Sequence, residues 1–245
     1  MRILFCLAAC VLCIAATGYA SPLTDFEQGR SSIDLNYRFS QDFNIPLDTD
    51  FKAKNVLADG SVTVGLGNKF ALQYRNFNSQ SKYTFDFSGY NWGARMKLTS
   101  QEINLLYGLN KNWQVYTGYV SNKGTQGLFV NSLTDMTNHG DGSIAGSSKN
   151  TWQFGVVGST SFSDKWTGYV SGGAGKDFYS WEVGTSYVID KHWELNVNYR
   201  DIKAKSLSVP GLIVESSHGN AIIGASGFTA DMEFKGPGFG VTYKF

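Results

Sequence analysis

A few polar residues in this sequence have the types and spacing of reactive groups. The segment 215–218 (Glu-Ser-Ser-His) supplies the side chains of a hydrolytic site, although such a site needs partners that only the fold can bring together. His139 lies in a glycine-rich segment near Asp135, which could bind a metal ion or act in catalysis, and His192 lies in a short polar turn. The segment 172–176 (Gly-Gly-Ala-Gly-Lys) has the composition of a phosphate-binding loop without its strand-to-helix setting. Solvated loops and turns explain these groups better, so we predict no catalytic residue, no cofactor and no metal ion.

Charged residues recur on one face of segments in which apolar and polar residues alternate. If the apolar residues of these segments face outward, four acidic and four basic residues face a common interior. Buried charges are tolerated when they are paired, whereas a ring of charges of one sign would select ions in a pore. The balanced signs, and the bulk of Tyr116 and Tyr169 on the same face, favour a closed, ion-paired interior. The predicted interior charge network consists of Asp34, Arg38, Arg75, Glu102, Glu182, Glu194, Arg200 and Lys244.

Alternation of apolar and polar residues is the main structural pattern of the chain. In the segment 193–199, Trp, Leu, Val and Tyr alternate with Glu and Asn. A period of two is typical of strands that have one apolar and one polar face, so we expect an all-β fold. The same pattern occurs at 33–39, 62–66, 103–109, 181–189 and 239–245.

A short motif recurs four times between the alternating segments. Each copy has an apolar residue, three polar turn-forming residues and an aromatic residue, as at 66–70 and 109–113. Gly, Asn, Asp and Ser allow the backbone conformations of tight hairpins, so each copy predicts a hairpin turn. These turns place large apolar residues at one level on one end of the sheet. The predicted turns lie at 67–69, 110–112, 163–165 and 190–192.

The connections at the opposite end of the predicted sheet are longer and rich in Ser, Asn, Gly and Asp. Four hairpins, a first strand at 31–39 and a last strand at 238–245 give about ten strands. Twelve strands are an alternative, because 83–87 and 207–235 could hold another hairpin, and eight would require one hairpin to be misassigned. The predicted connections are 40–59, 78–100, 121–150 and 201–237, with a short one at 173–177.

The first twenty residues have the layout of a secretory signal peptide. Arg2 precedes an apolar run, and small residues at Gly18 and Ala20 predict cleavage before Ser21. All three cysteines lie in this segment, so the domain predicted at 21–245 has no disulfide framework and no thiolate metal site. Without Arg2 the chain has twenty basic and twenty acidic residues, and nothing in this balance favours nucleic acid.

Alternation alone does not say which face of a barrel points outward, so a soluble barrel must be weighed against a transmembrane one. The polar face is rich in Gly, Ser, Asn, Gln and Thr and has few charges, which is typical of a barrel interior. Aromatic residues near both strand ends match the two interfaces of a bilayer. We therefore predict a closed antiparallel transmembrane β-barrel with short periplasmic turns and long extracellular loops. The predicted aromatic girdle at the turn end consists of Phe70, Trp113, Trp166, Trp193 and Phe245.

The last strand carries a recognisable terminal pattern in Gly240, Tyr243 and Phe245, with the aromatic Phe245 as the final residue. This pattern resembles the assembly signal of outer-membrane barrels, although Gly238 stands where that signal usually has a polar residue. With the signal segment and the repeated hairpins, the chain resembles the OmpA/opacity-type family of small outer-membrane barrels. The resemblance implies insertion into outer-membrane lipid by the barrel-assembly machinery. We expect a non-enzymatic structural or surface-interaction role, with a narrow passive channel as the alternative and a membrane-embedded hydrolase less favoured.

Overall fold

The computed structural model describes residues 26–39, 41–44, 52–53, 58–87, 90–132, 138–215 and 222–245. The predicted signal segment 1–20, Asp135 and the Ser-Ser-His group at 216–218 lie outside these ranges. No helix in the part of the chain that is described has the length and apolar character needed to cross a membrane. In chain order the strands are β1 (Ser31–Arg38), β2 (Gln41–Asn44), β3 (Lys52–Ala53), β4 (Ala58–Gly67), β5 (Phe70–Phe87), β6 (Tyr90–Gly108), β7 (Trp113–Ser132), β8 (Asn138–Ala145), β9 (Lys149–Ser161), β10 (Trp166–Gly175), β11 (Phe178–Val188), β12 (Trp193–Val209), β13 (Leu212–Glu215), β14 (Ile222–Ala225) and β15 (Phe228–Lys244).

Ten of these strands form a closed antiparallel ring in the order β1-β4-β5-β6-β7-β9-β10-β11-β12-β15. The ring closes because β1 also pairs with β15, with Leu35 opposite Val241. Strands β2 and β3 extend the sheet beside β15, β8 pairs with β7, and β13 pairs with β14 as a separate hairpin. The predicted all-β, closed barrel of about ten strands is therefore confirmed.

Four tight turns join paired strands at one end of the barrel, called here the turn end. In the first turn Asn68 and Lys69 have φ angles of 52° and 68°, the left-handed conformation that hairpin turns need. In each of the other three turns, one side-chain oxygen accepts hydrogen bonds from two backbone N–H groups, that of the last turn residue and that of the first residue of the next strand. The accepting side chains are Asn110, Ser163 and Asp190, and the two bonds to Asp190 lower the pKa of its carboxyl group.

The opposite end of the barrel, called the loop end, has much longer strands than the sequence predicts. The segments predicted as connections at 78–100, 121–150 and 201–237 consist mostly of strand, because β5, β6, β7, β12 and β15 continue through them. Apolar and polar residues still alternate in these extensions, but there the apolar residues face inward and the polar residues face outward. On β5, Phe77 is buried while Asn78 and Gln80 lie on the outer side. A strand whose outward residues are polar has a composition similar to that of a loop. The sequence therefore predicts connections where these strands lie.

The interior of the extended loop end is filled by a cluster of apolar side chains, called here the upper core. Strands β5, β6 and β7 contribute one side of the upper core, and β11, β12 and β15 contribute the other. Strand β7 contacts β12 across the mouth of the barrel. The two sides therefore pack face to face like the sheets of a soluble sandwich. The upper core consists of Phe77, Met96, Leu98, Val120, Phe178, Ile202, Ala204, Leu207, Val209, Ala230, Met232 and Phe234.

Below the upper core, the outer face of the ring is an apolar belt and the inner face is polar. Phe154 and Val197, for example, are 70% and 60% exposed, whereas the inward Gln153 and Asn198 are buried. All five residues of the predicted aromatic girdle lie at the turn end of the belt, and Trp193 and Phe245 both pack on Tyr243. This inside-out arrangement is the reverse of a soluble barrel.

The closure between β1 and β15 can be tested by a disulfide. We expect the double variant Leu35→Cys/Val241→Cys to form an intramolecular disulfide on mild oxidation, because these residues are directly paired in the structure. Mass spectrometry of non-reduced peptides would detect it. The control Leu35→Cys/Leu105→Cys joins strands that are not neighbours in the ring and should not crosslink. Equal crosslinking of both pairs would contradict the register.

Candidate functional site

The middle of the barrel interior contains a buried group of charged side chains contributed by six different strands. Arg38 of β1 binds Asp59 of β4 through two nitrogens, with Nη2 at 2.6 Å and Nε at 2.9 Å from Oδ2. Arg200 of β12 binds the other oxygen of Asp59 at 3.0 Å and also binds Oε1 of Glu102, on β6, at 3.0 Å. Because one aspartate joins two arginines, β1, β4, β6 and β12 are tied together across the interior.

Glu182 of β11 joins the remaining cation to the same group. Its Oε2 accepts a hydrogen bond from Nη2 of Arg75, on β5, at 2.9 Å, and it lies 3.7 Å from Nη2 of Arg38. Its Oε1 accepts a hydrogen bond from the hydroxyl of Tyr169 at 3.1 Å. We call these six residues the central charge cluster: Arg38, Asp59, Arg75, Glu102, Glu182 and Arg200.

The structure brings together five of the eight residues of the predicted charge network and separates the other three. Glu194 and Lys244 form their own ion pair on neighbouring strands near the turn end. Asp34 accepts hydrogen bonds from the hydroxyls of Ser61 and Thr242, each at 2.6 Å. The single network of eight charges that the sequence predicts is therefore divided into a compact cluster, a separate ion pair and Asp34, because the eight residues lie at different heights.

Asp59 is the member of the cluster that sequence reasoning missed. The sequence predicts a connection at 40–59, and the last residue of that segment is therefore absent from the predicted network. The inward positions Ser61 and Thr63 lie on the same face as Asp59, two and four residues further along β4. Alternation extended by two residues from Ser61 places Asp59 on the inner face. With Asp59 the cluster contains three arginines and three carboxylates.

Neutral polar side chains and two tyrosines fill the space around the cluster. Gln153 donates a hydrogen bond to Glu102 at 2.9 Å and another to Asn104 at 2.8 Å. The ring of Tyr116 lies over its paired residue Gly155 on the neighbouring strand β9, where a Cβ would lie 2.2 Å from the ring, so only glycine fits there. A cavity beside the cluster, lined in part by Asp34 and Glu182, has a volume of about 40 Å³, which is enough for only a few water molecules.

The turn end of the interior is covered by the segment that precedes β1. Phe26 is 5% exposed and packs with Ala71, Leu106 and Tyr116 inside the ring. The N–H of Gly67 donates to the carbonyl of Phe26 at 2.9 Å. A Cβ on Gly65 would lie 2.4 Å from the carbonyl oxygen of Glu27, so the segment crosses directly over bare backbone. The sequence showed no pattern from which this covering segment could be predicted.

The groups with possible reactive chemistry have simpler places in the structure. His192 lies in the last turn, where its Nδ1 is 2.7 Å from the carbonyl oxygen of Lys244 and its ring stacks on Tyr243. The segment 172–175 ends β10, and no helix follows it. His139 lies in β8. Among the described residues, no three His, Cys, Asp or Glu side chains are grouped to hold a metal ion.

Ten strands around a polar, ion-paired interior and inside an apolar belt define this chain as an inside-out β-barrel. No protein-family model and no curated protein sequence matches it. It is similar to the solved structure of the outer-membrane protease OmpT from Escherichia coli, with 10% identity and a TM-score of 0.46 over 92% of this chain and 100% of that one.

Two further solved structures are similar at the same level. The attachment invasion locus protein Ail of Yersinia pestis has 12% identity and a TM-score of 0.40 over 89% of this chain and 99% of that one. The Ralstonia pickettii toluene transporter TbuX has 10% identity and a TM-score of 0.42 over 94% of this chain and 95% of that one. Values this low assign neither a family nor an activity.

The central charge cluster makes a prediction about stability. Arg200→Ala removes the partner of Glu102 and one partner of Asp59, and it leaves buried carboxylates undercompensated. We expect a loss on the order of 3–5 kcal/mol in the free energy of unfolding, measured by urea titration of the refolded barrel. The control Arg95→Ala removes a partly exposed ion pair with Asp141 and should cost about 1 kcal/mol or less.

A second substitution separates charge from packing in this test. Adding Glu102→Gln to Arg200→Ala neutralises the carboxylate that has lost its ion-pair partner, whereas Asp59 keeps Arg38, so the double variant should recover part of the lost stability. Equal losses in Arg200→Ala and Arg95→Ala, or no recovery in the double variant, would show that the charges are not coupled.

Proposed function

We propose that this protein is an integral outer-membrane β-barrel with a sealed interior and a structural or surface-interaction role without enzymatic activity. The observation that carries this proposal is the filling of the interior at three heights. Phe26 covers the turn end, the central charge cluster crosses the middle and the upper core fills the loop end. The resemblance to the OmpA/opacity-type family belongs to the same proposal, with outer-membrane lipid and the barrel-assembly machinery as partners.

The dimensions of the apolar belt support insertion in a membrane. On β9 and the turn that follows it, the outward row runs from Trp152 to Phe162, and these two residues are 65% and 64% exposed. Ten residue steps of about 3.3 Å, on strands tilted by about 40°, span about 25 Å along the barrel axis. This height matches the apolar band of outer-membrane barrels. Aromatic residues such as Tyr119 and Trp193 lie near its two edges.

The balance of charge in the interior supports a sealed barrel over a pore. A selective pore would need a continuous aqueous path lined by charges in excess of one sign. Here three arginines bind three carboxylates directly, and the side chain of Arg200 is 1% exposed. Its guanidinium also lies 5.4 Å from the centre of the Phe77 ring, so the charge cluster and the upper core adjoin without an intervening channel.

Conductance in a planar lipid bilayer tests the proposal. We expect the refolded wild-type protein to give no steady conductance, and Arg75→Ala to remain closed because Phe26 and the upper core still block both ends. Flotation of both proteins with vesicles confirms that they have inserted. A steady wild-type conductance whose ion selectivity changes in Arg75→Ala would replace the sealed barrel with a narrow passive channel.

The orientation of the barrel is tested by cysteine labelling, which is straightforward because all native cysteines lie in the first twenty residues. We expect Ser147→Cys, exposed at the loop end, to react with a membrane-impermeant maleimide on whole cells. Lys111→Cys, exposed at the turn end, should react only after the outer membrane is permeabilised. The opposite pattern would place the turns outside the cell.

A further inference from the structure

One acidic residue, Asp177, lies among three lysines at the loop-end edge of β9, β10, β11 and β12. The Nζ of Lys149 lies 2.9 Å from Oδ2 of Asp177 and donates to the carbonyl of Lys205 at 3.1 Å. The N–H of Lys205 donates to the carbonyl of Asp177 at 2.8 Å, and Lys176 is exposed in the same turn. The hydrogen bond from Lys149 lowers the pKa of Asp177, so the aspartate is ionised and this group keeps a net charge of plus two.

A shallow apolar groove runs along the outer face of β10 towards these lysines. Its floor is Gly172 and Ala174, and its walls are Phe154 of β9 and Trp181 of β11. The nearest atoms to a Cβ built on Gly172 are 4.0 Å away, so the floor is open. Phe154 is 70% exposed, which leaves its ring available to line the groove.

The wall of the barrel is low at this position. Strand β10 ends at Gly175 and β11 begins at Phe178, whereas β7 continues to Ser132 and β12 to Val209. The apolar belt therefore ends directly at the lysines in this sector. Elsewhere, as on β5, β6 and β12, further polar strand surface rises above it. Headgroups of the adjacent leaflet would therefore lie at the height of Lys149, Lys176 and Lys205 in this sector.

We propose that this sector binds one phosphate-bearing anionic lipid of the leaflet at the loop end. An acyl chain lies in the groove over Gly172, and the phosphate lies between Lys149, Lys176 and Lys205. Three lysine charges and one carboxylate in this short stretch of the rim leave the excess positive charge that a phosphate neutralises. The inference rests on the proposed insertion of the barrel in a membrane.

The test uses full-length protein refolded into vesicles of equal parts phosphatidylglycerol and phosphatidylcholine. After extraction in mild detergent, native mass spectrometry counts the lipids that remain bound. We expect one retained phosphatidylglycerol, with a preference of about tenfold over phosphatidylcholine. The variant Lys149→Gln/Lys176→Gln/Lys205→Gln should lose this preference. The matched control Lys69→Gln/Lys111→Gln/Lys191→Gln removes three lysines at the turn end and should keep it.

A second variant tests the groove without changing any charge. Gly172→Leu fills open space on an outward strand position, so it should fold normally and reduce retention of both lipids at this site. Vesicle flotation separates the two possible failures. Protein that floats with vesicles but shows no lysine-dependent preference overturns the lipid site alone. Protein that does not float overturns the proposed membrane insertion and the lipid site together.

Discussion

The pairing of the first and last strands of the ring is the constraint on which the rest of the structure depends. An open sheet edge inside lipid would leave a row of backbone N–H and C=O groups without partners, and hydrocarbon offers none. Closing ten strands fixes the diameter of the interior, and a ring of this size has room for little more than its own side chains. The interior charges must therefore contact one another, as Arg38, Asp59 and Arg200 do.

The inner and outer faces of the barrel exchange polar and apolar character along its axis. Near the turn end it is apolar outside and polar inside, whereas near the loop end it is polar outside and apolar inside. The central charge cluster lies where the two interiors meet, with Arg200 contacting both Glu102 and the ring of Phe77. The paired polar side chains at this boundary give the buried charges the partners that an apolar environment does not offer.

Much of the fold could be predicted from period-two alternation and the repeated turn motif, because both are local in sequence. The loop end could not be predicted in this way. Met96 and Leu98 face inward whereas Ile103 and Leu105 of the same strand face outward, and alternation does not show which set is inside. The inward position of five members of the central charge cluster follows from the alternation of side chains along each strand. Their partners do not, because pairing depends on the relative heights of strands that are distant in sequence. Glu194 and Lys244, for example, share a face with Arg200 but lie nearer the turns.

The upper core determines much of the heat-capacity change expected on unfolding. Its apolar side chains are shielded from water by polypeptide alone, as in a soluble domain, whereas the residues of the belt exchange one apolar environment for another when the barrel opens within lipid. Exposure of apolar surface to water raises heat capacity. The heat-capacity increment of unfolding therefore reports on Met96, Leu98, Ile202 and Met232 rather than on the larger apolar surface of the belt. In the proposed membrane-inserted state, the part of the barrel whose stability depends most on contact with water is thus the extended loop end.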